Sequence, residues 1–255
     1  MLYRTKELKG YQLGATDGDI GKVTDFLFDD QFWTVRYLVA ETGTWLLQRP
    51  VLISPHSLKE VRAGAKEIMT DLARQQVEDS PPLESDLPVS RQYERKYYAY
   101  YGWSSYWYGP YPWGAYYYPV NEAQLEPPES GEDEGKKWDS HLRSIKEVEG
   151  YNIHTADGDI GHISDFILDG GTWAIRYLVA DTANLWPGKH VLLSPHWIVQ
   201  VSWADREVDT DLTRETIKQA PEYRKDTEIN REYEQQLYSY YQREGYWARE
   251  HPGNH

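Results

Sequence analysis

Cysteine is absent from the 255 residues, which removes disulfides, thiolate zinc sites and cysteine nucleophiles together and fits a reducing cytoplasm. No run of about 18 apolar residues occurs, so no segment reads as a transmembrane helix. The N-terminus, Met1 to Lys6, leads straight into polar sequence without the apolar stretch of a signal peptide. The chain is therefore expected to be soluble, unexported and cytoplasmic. Positive charge is in short supply: 27 Lys and Arg against 41 Asp and Glu give a net charge of −14, which repels phosphate backbones and anionic lipid. Neither a nucleic-acid partner nor membrane contact is expected.

What the sequence does contain is a repetition in phase. Gly10-Tyr11, Asp17-Gly18-Asp19-Ile20-Gly21, Asp25-Phe26, Asp29, Trp33, Arg36-Tyr37-Leu38-Val39-Ala40 and Ser54-Pro55-His56 recur as Gly150-Tyr151, Asp157-Gly158-Asp159-Ile160-Gly161, Asp165-Phe166, Asp169, Trp173, Arg176-Tyr177-Leu178-Val179-Ala180 and Ser194-Pro195-His196. The offset persists through Tyr93-Glu94/Tyr233-Glu234 and Tyr106-Trp107/Tyr246-Trp247, so the duplication includes a tail beyond the core. Asp17, Gly18, Asp25 and Arg36, with Asp157, Gly158, Asp165 and Arg176, are the structural residues of the repeat.

Within each copy the core reads as short strands. Val23 to Phe28, Thr34 to Thr42 and Val51 to Ile53, and in the second copy Ile163 to Leu168, Ala174 to Thr182 and Val191 to Leu193, are rich in β-branched and aromatic residues and punctuated by Gly, Asp and Pro. Both faces of Val35–Val39 are substantially apolar, one suited to a barrel interior and the other to a neighbour. Asp17-Gly18-Asp19 and Asp157-Gly158-Asp159 read as hairpin turns, with the Asp side chains bonding the local backbone. Leu58 to Asp71 and Ile198 to Asp211 add two more short strands. Thr213 is an expected N-cap for a helix over Arg214–Gln219. A second helix, Asn230 to Tyr241, places Tyr233, Leu237 and Tyr240/Tyr241 in one stripe, as Tyr93, Tyr97 and Tyr100/Tyr101 do in the first copy. Gly102 to Pro119 is too rich in Gly and Pro for a helix and too aromatic for a simple linker. Glu122 to Lys137 is the acidic linker.

The pattern Gly-Tyr, Asp-Gly-Asp-Ile-Gly, Asp-Phe, Trp-x-[Val/Ile]-Arg-Tyr-Leu-Val and Val-Leu-[Ile/Leu]-Ser-Pro resembles the PRC-barrel, the small β-barrel named for the cytoplasmic domain of the reaction-centre H subunit. The tail from Leu212 to Tyr241 is similar to that of bacterial proteins with two such barrels, many described as H-subunit-like. The resemblance implies a mainly β fold of tandem small PRC-type barrels, each followed by short helices and an aromatic tail: residues 1–119, an acidic linker at 120–144, and residues 145–255. It also implies a non-enzymatic adaptor or regulatory protein, with a peripheral partner of a photosynthetic reaction centre or other membrane complex as an alternative. Packing of one barrel on the other about a pseudo-twofold axis is expected, and a homo-oligomer is a further option.

No catalytic constellation is present, and neither a cofactor nor a metal is expected. Gly14, Gly18, Gly21 and Lys22 miss the phosphate-loop spacing, since Thr16 and Val23 stand where glycine and a hydroxyl are needed. Asp17, Asp19 and Asp25 lack the closing glutamate of a calcium loop. Ser54/His56 and Ser194/His196 form the alternative reading, a hydrolase-like or ligand-binding enzyme at a strand end, but no Gly-x-Ser-x-Gly elbow accompanies them. Arg36 and Arg176, set among apolar residues, call for ion pairs with Asp25/Asp165 or Asp29/Asp169. Trp103, Tyr106, Trp107, Tyr108, Tyr111, Trp113 and Tyr116 are the protein-interaction candidates, because Tyr and Trp supply large contact area at low rotamer cost. The expectation is that Trp103, Trp107 and Trp113 mediate self-association or partner capture, whereas Tyr233 and Leu237 stabilise the fold.

Overall fold

The computed structural model describes residues 1–83, 89–120, 141–182 and 189–250. The expected linker at 122–137 lies outside the described residues. Two compact units emerge: Met1, Tyr3–Glu147 and Leu168–Ile175 form one; Leu2, Val148–Ile167 and the chain from Arg176 onward form the other.

The strands and helices run in order β1 (Leu2–Arg4), α1 (Thr5–Leu8), β2 (Gln12–Ala15), β3 (Gly18–Asp29), β4 (Thr34–Thr42), β5 (Pro50–Ile53), β6 (Leu58–Arg62), β7 (Glu67–Thr70), α2 (Arg74–Glu78), α3 (Arg91–Tyr101) and β8 (Leu142–Ser144). They continue as α4 (Ile145–Val148), β9 (Asn152–Thr155), β10 (Gly158–Asp169), β11 (Ile175–Asp181), β12 (His190–Leu193), β13 (Ile198–Ser202), β14 (Glu207–Thr210), α5 (Arg214–Gln219), α6 (Arg231–Tyr240) and α7 (Trp247–Glu250). In the first unit the sheet order is β5-β4-β3-β2-β7-β6, and the second repeats it as β12-β11-β10-β9-β14-β13. β5-β4, β4-β3, β3-β2 and β7-β6, and likewise β12-β11, β10-β9 and β14-β13, pair antiparallel, whereas β2 with β7 and β9 with β14 run parallel. The fold is mainly β, as the alternating strands predict, in two small barrel-like units with short helices.

Bulges in β3 between Val23 and Asp25 and between Leu27 and Phe28 bend the longest strand of the first sheet. β3 also begins earlier than the sequence suggests, at Gly18, and Gly21 makes that extension possible. A Cβ there would meet the Glu41 carbonyl oxygen at 2.2 Å, and one at Gly161 would meet the Asp181 oxygen at 1.9 Å. Only glycine lets the two backbones approach this closely. Leu142–Ser144, placed by the sequence reading at the end of the linker, pairs as β8 with Leu27–Asp29 of β3, and Leu142 is buried.

The two cores correspond. Leu8, Leu13, Ile20, Phe26, Tyr37 and Ile53 are fully buried in the first, and Val148, Ile153, Ile160, Phe166, Tyr177 and Leu193 in the second. α3 and α6 present Glu94, Tyr97 and Tyr98, and Glu234, Leu237 and Tyr238, as buried residues. The buried stripe thus lies one position beyond the expected one at its first turn, with a glutamate on it.

Candidate functional site

The repeated Asp-Gly turns are structural, but their bonds reach further than the local backbone. Gly18 and Gly158 hold φ of 150° and 130°. The Asp17 carboxylate accepts from the Arg74 amide at 2.8 Å, and Asp157 from the Arg214 amide at 2.7 Å, each 57 residues away. Each turn thereby secures the first amide of the helix that closes its barrel. Asp25 is not the partner of Arg36; it accepts from the Ser144 hydroxyl and the Lys146 amide.

Arg36, on β4, is fully buried and pairs with Asp29 on β3. It also donates to the Pro112 carbonyl. Its guanidinium lies 3.8 Å from the ring centre of Tyr106 and 4.7 Å from that of Trp113. A buried cation requires this kind of enclosure by a carboxylate, a carbonyl and π-faces. The aromatic segment is therefore anchored to the first barrel by the residue that the repeat marks as its buried charge. In the second unit Arg176 lies 4.0 Å from the Tyr246 ring centre.

Beside Arg36 sits a second polar knot, organised by a residue that sequence reasoning missed. Glu94 is fully buried; its Oε1 accepts from Tyr37 Oη at 3.0 Å and Tyr106 Oη at 2.8 Å, and its Oε2 faces Arg91 at 2.8 Å. Desolvation outweighs these favourable contacts and pushes the carboxyl up to about 7. The same burial raises the phenols of Tyr37 and Tyr106 well above their ordinary range. The second unit repeats the knot: Glu234 Oε1 accepts from Tyr177 and Tyr246, both at 2.8 Å, and Oε2 faces Arg231 at 3.0 Å. The signal was present in the preserved Tyr93-Glu94/Tyr233-Glu234 pair, but a helical glutamate ordinarily reads as solvated.

Ser54 caps a one-turn 3-10 helix, accepting from the His56 amide, and its hydroxyl lies 3.1 Å from His56 Nδ1. The pair is closed to solvent. Ser54 is fully buried, while His56 stacks on Trp103 at 5.3 Å and meets Trp113 and Tyr98 edge-on at 4.9 and 5.6 Å. Burial, reinforced by Arg36, lowers its imidazole to about 3, so it is neutral at physiological pH. Ser194 is likewise buried and accepts from Tyr238 Oη at 3.1 Å. His196 is exposed.

The seven interaction candidates divide by exposure. Trp103, Tyr106 and Trp113 are buried and Trp107 is half-buried, whereas Tyr108, Tyr111 and Tyr116 face solvent, joined by Tyr118. The expectation that Trp103 and Trp113 are contact side chains is corrected: Trp103 covers His56 and stacks on Tyr101 at 4.5 Å, and Trp113 Nε1 donates to the Thr172 carbonyl at 2.8 Å. The indoles bury because Arg36 and His56 lie beneath them. Isolated bridges Tyr111–Gly114 and Trp113–Tyr116 shape the outer loop, which carries Tyr111 and Tyr116. Gly109 and Gly114 approach so closely there that a Cβ on Gly109 would sit 2.3 Å from the Gly114 oxygen.

A shallow cleft of about 380 Å³ on the first barrel is lined by residues including Gln12, Asp19, Lys22, Glu41, Trp45 and Gln48. Trp45 is fixed there by its bond to the Ile20 carbonyl at 2.8 Å and by the Arg74 guanidinium 4.3 Å from a ring centre. Among the described residues no group of three or more His, Asp or Glu side chains is placed to hold a metal ion, and no helix is long and apolar enough to cross a membrane.

These features define a tandem of small β-barrel-like units, each sealed by a tyrosine-bearing helix. The PRC-barrel domain model matches residues 2–77, and this part of the chain is a PRC-barrel domain. The match ends within α2, at the buried Val77. The second unit repeats the sheet order and the sequence markers. A comparison with curated proteins finds no match.

Proposed function

We propose that this chain is a non-enzymatic, soluble adaptor or regulatory protein that acts through protein contacts, with the outer face of its first aromatic tail as the contact surface. One observation carries the reading: the tail divides into a buried half that is bonded into the barrel and an outer half that presents Tyr108, Tyr111, Tyr116 and Tyr118 to solvent. Exposed tyrosines set on an ordered scaffold supply contact area with little entropy left to lose. The enclosure of Ser54 and His56 supports the same reading, since a neutral histidine under Trp103 offers no path for a substrate.

The test is affinity capture from the native cell with the intact chain and with a variant carrying serine at 108, 111, 116 and 118. A specific partner retained by the first and lost from the second supports the adaptor. Turnover in a broad hydrolase screen that disappears with His196→Ala or His56→Ala would replace it with the enzyme reading. Co-sedimentation with membranes or a reaction-centre complex, unaffected by the serine variant, would favour a peripheral membrane partner.

A further inference from the structure

The chain holds no cysteine and only 2 methionines, against 22 tyrosines and 11 tryptophans. Sulfur, the usual sink for oxidants, is nearly missing, and the phenols and indoles are the remaining side chains that readily lose one electron. In the first tail they form a line. Tyr108, exposed, lies 5.9 Å from Trp107, which lies 5.0 Å from buried Tyr106, whose hydroxyl donates to Glu94 Oε1 at 2.8 Å. The second unit keeps the inner part of that line: Trp247 is 5.2 Å from Tyr246, which donates to Glu234 at 2.8 Å.

We propose that Tyr106 and Tyr246 are redox-active tyrosines that trap a single oxidising equivalent as a buried phenoxyl radical, each passing its proton to the adjoining glutamate. The co-reactant is a one-electron oxidant of the oxygen-radical class, such as the carbonate radical anion. It gains one electron from Trp107 or Trp247, becoming carbonate, and the indole is refilled by the electron of the neighbouring tyrosine. The Tyr O–H bond breaks, an O–H bond forms on Glu94 or Glu234, and a neutral phenoxyl remains. A one-electron donor such as ascorbate, with the returned proton, restores the phenol.

The surroundings favour this coupled loss over simple electron loss. The Arg36 guanidinium, 3.8 Å from the Tyr106 ring centre, opposes a positively charged ring, so the proton has to leave with the electron. Arg91 Nη1, donating to Tyr106 Oη at 3.0 Å, remains to solvate the phenoxyl oxygen. Glu94 is faced by Tyr37 and Arg36 from β4, by Arg91 and Tyr98 from α3 and by Tyr106 from the tail. Held at about 7 by burial, it is a far stronger base than an exposed carboxylate. Trapping in the first unit therefore rises with pH through 7, as Glu94 becomes free to accept.

The experiment oxidises the full-length chain with carbonate radical generated by a light flash and follows the radicals by freeze-quench electron paramagnetic resonance. A long-lived tyrosyl signal is expected, lost in the Tyr106→Phe/Tyr246→Phe double variant and shortened in Glu94→Gln/Glu234→Gln. A long-lived signal that persists in the double Phe variant would overturn the proposal. Should either variant fold poorly, mass-spectrometric mapping of the partly oxidised wild-type chain decides independently. Modification at Tyr106 and Tyr246 supports the trap, and modification confined to exposed Tyr100, Tyr108 and Tyr118 sinks it.

Discussion

In the first unit the indole that seals the tyrosine helix comes from Trp103, just past the end of α3; in the second it comes from Trp197, inside the 3-10 turn. Trp103 stacks on Tyr101 at 4.5 Å and meets Tyr98 at 6.3 Å, while Trp197 meets the equivalent Tyr241 and Tyr238 at 4.5 and 5.2 Å. At the repeat position of Trp197 the first copy has Ser57, and at that of Trp103 the second has Arg243, which pairs with Asp211 at 2.6 Å. One volume is thus filled from opposite sides. A duplicated fold conserves the space to be filled more strictly than the residue that fills it. The consequence differs locally: the indole from Trp103 covers His56, whereas the one from Trp197 leaves His196 exposed.

The sharpest way to break the first seal is at its charge. Arg36→Ala strips Asp29 of its buried partner and removes the cation beneath Tyr106 and Trp113. Loss of one member of such a pair is expected to cost about 3–5 kcal/mol, read as an earlier denaturant midpoint for the first unit. A cost below about 1 kcal/mol would mean that the tail and barrel do not depend on this residue.

Next come the indoles themselves. Trp103→Ser and Trp197→Ser should each destabilise their own unit by about 3 kcal/mol, in the range for a large buried aromatic. The pairing of the two positions is tested by Ser57→Trp placed on the Trp103→Ser background, which should recover part of the loss. Absence of any recovery would show that the two tryptophans do not fill the same volume.

The strands, turns and helix caps were legible because local chemistry dictates them. Thr213 caps α5 as expected, and Asn230, read from the sequence as the first residue of the second helix, caps α6, each accepting from the amide three residues on. The preference of Arg36 for a buried carboxylate was also legible, with Asp29 as the partner. The buried face of α3 was not. Tyr93 and Tyr97 define a stripe by spacing, yet the face turned inward is Glu94, Tyr97 and Tyr98, because the Tyr37 and Tyr106 phenols and Arg91 satisfy the carboxylate. Those partners lie 57, 12 and 3 residues away, and a periodicity argument sees only the nearest. The burial of Trp103 and Trp113 escaped notice for the same reason, since nothing local announces His56 and Arg36 beneath them.

Two buried ionisable groups give the first unit opposing responses to pH. Glu94 has its carboxyl raised from 4.5 to about 7 on folding, so its contribution is fully present below 4.5 and lost as pH rises through 7. His56 is lowered from 6.5 to about 3, so its contribution is present above 6.5 and lost as pH falls toward 3. Between 4.5 and 6.5 the two slopes oppose each other. In Glu94→Gln the stability of the first unit should climb with pH across that window, and in His56→Phe it should decline. Thermal midpoints measured at pH 4.5, 5.5 and 6.5 distinguish these outcomes, and parallel curves for both variants would show that neither group titrates as its burial requires.

The smallest effect is expected at the solvent-facing rings of the first tail. Tyr108 and Tyr111 project from the outer loop of the first tail, and neither hydroxyl bonds into the buried knots around Arg36 and Glu94. Replacing both by serine removes solvent-facing ring area while leaving Trp103, Tyr106 and Trp113 in place. Folding stability should therefore change by no more than about 0.5 kcal/mol per site, while partner retention falls markedly if these rings are the contact surface. A loss of several kcal/mol with retention unchanged would assign Tyr108 and Tyr111 to the packing of the barrel, and the outer half of the tail would then differ from its buried half only in degree.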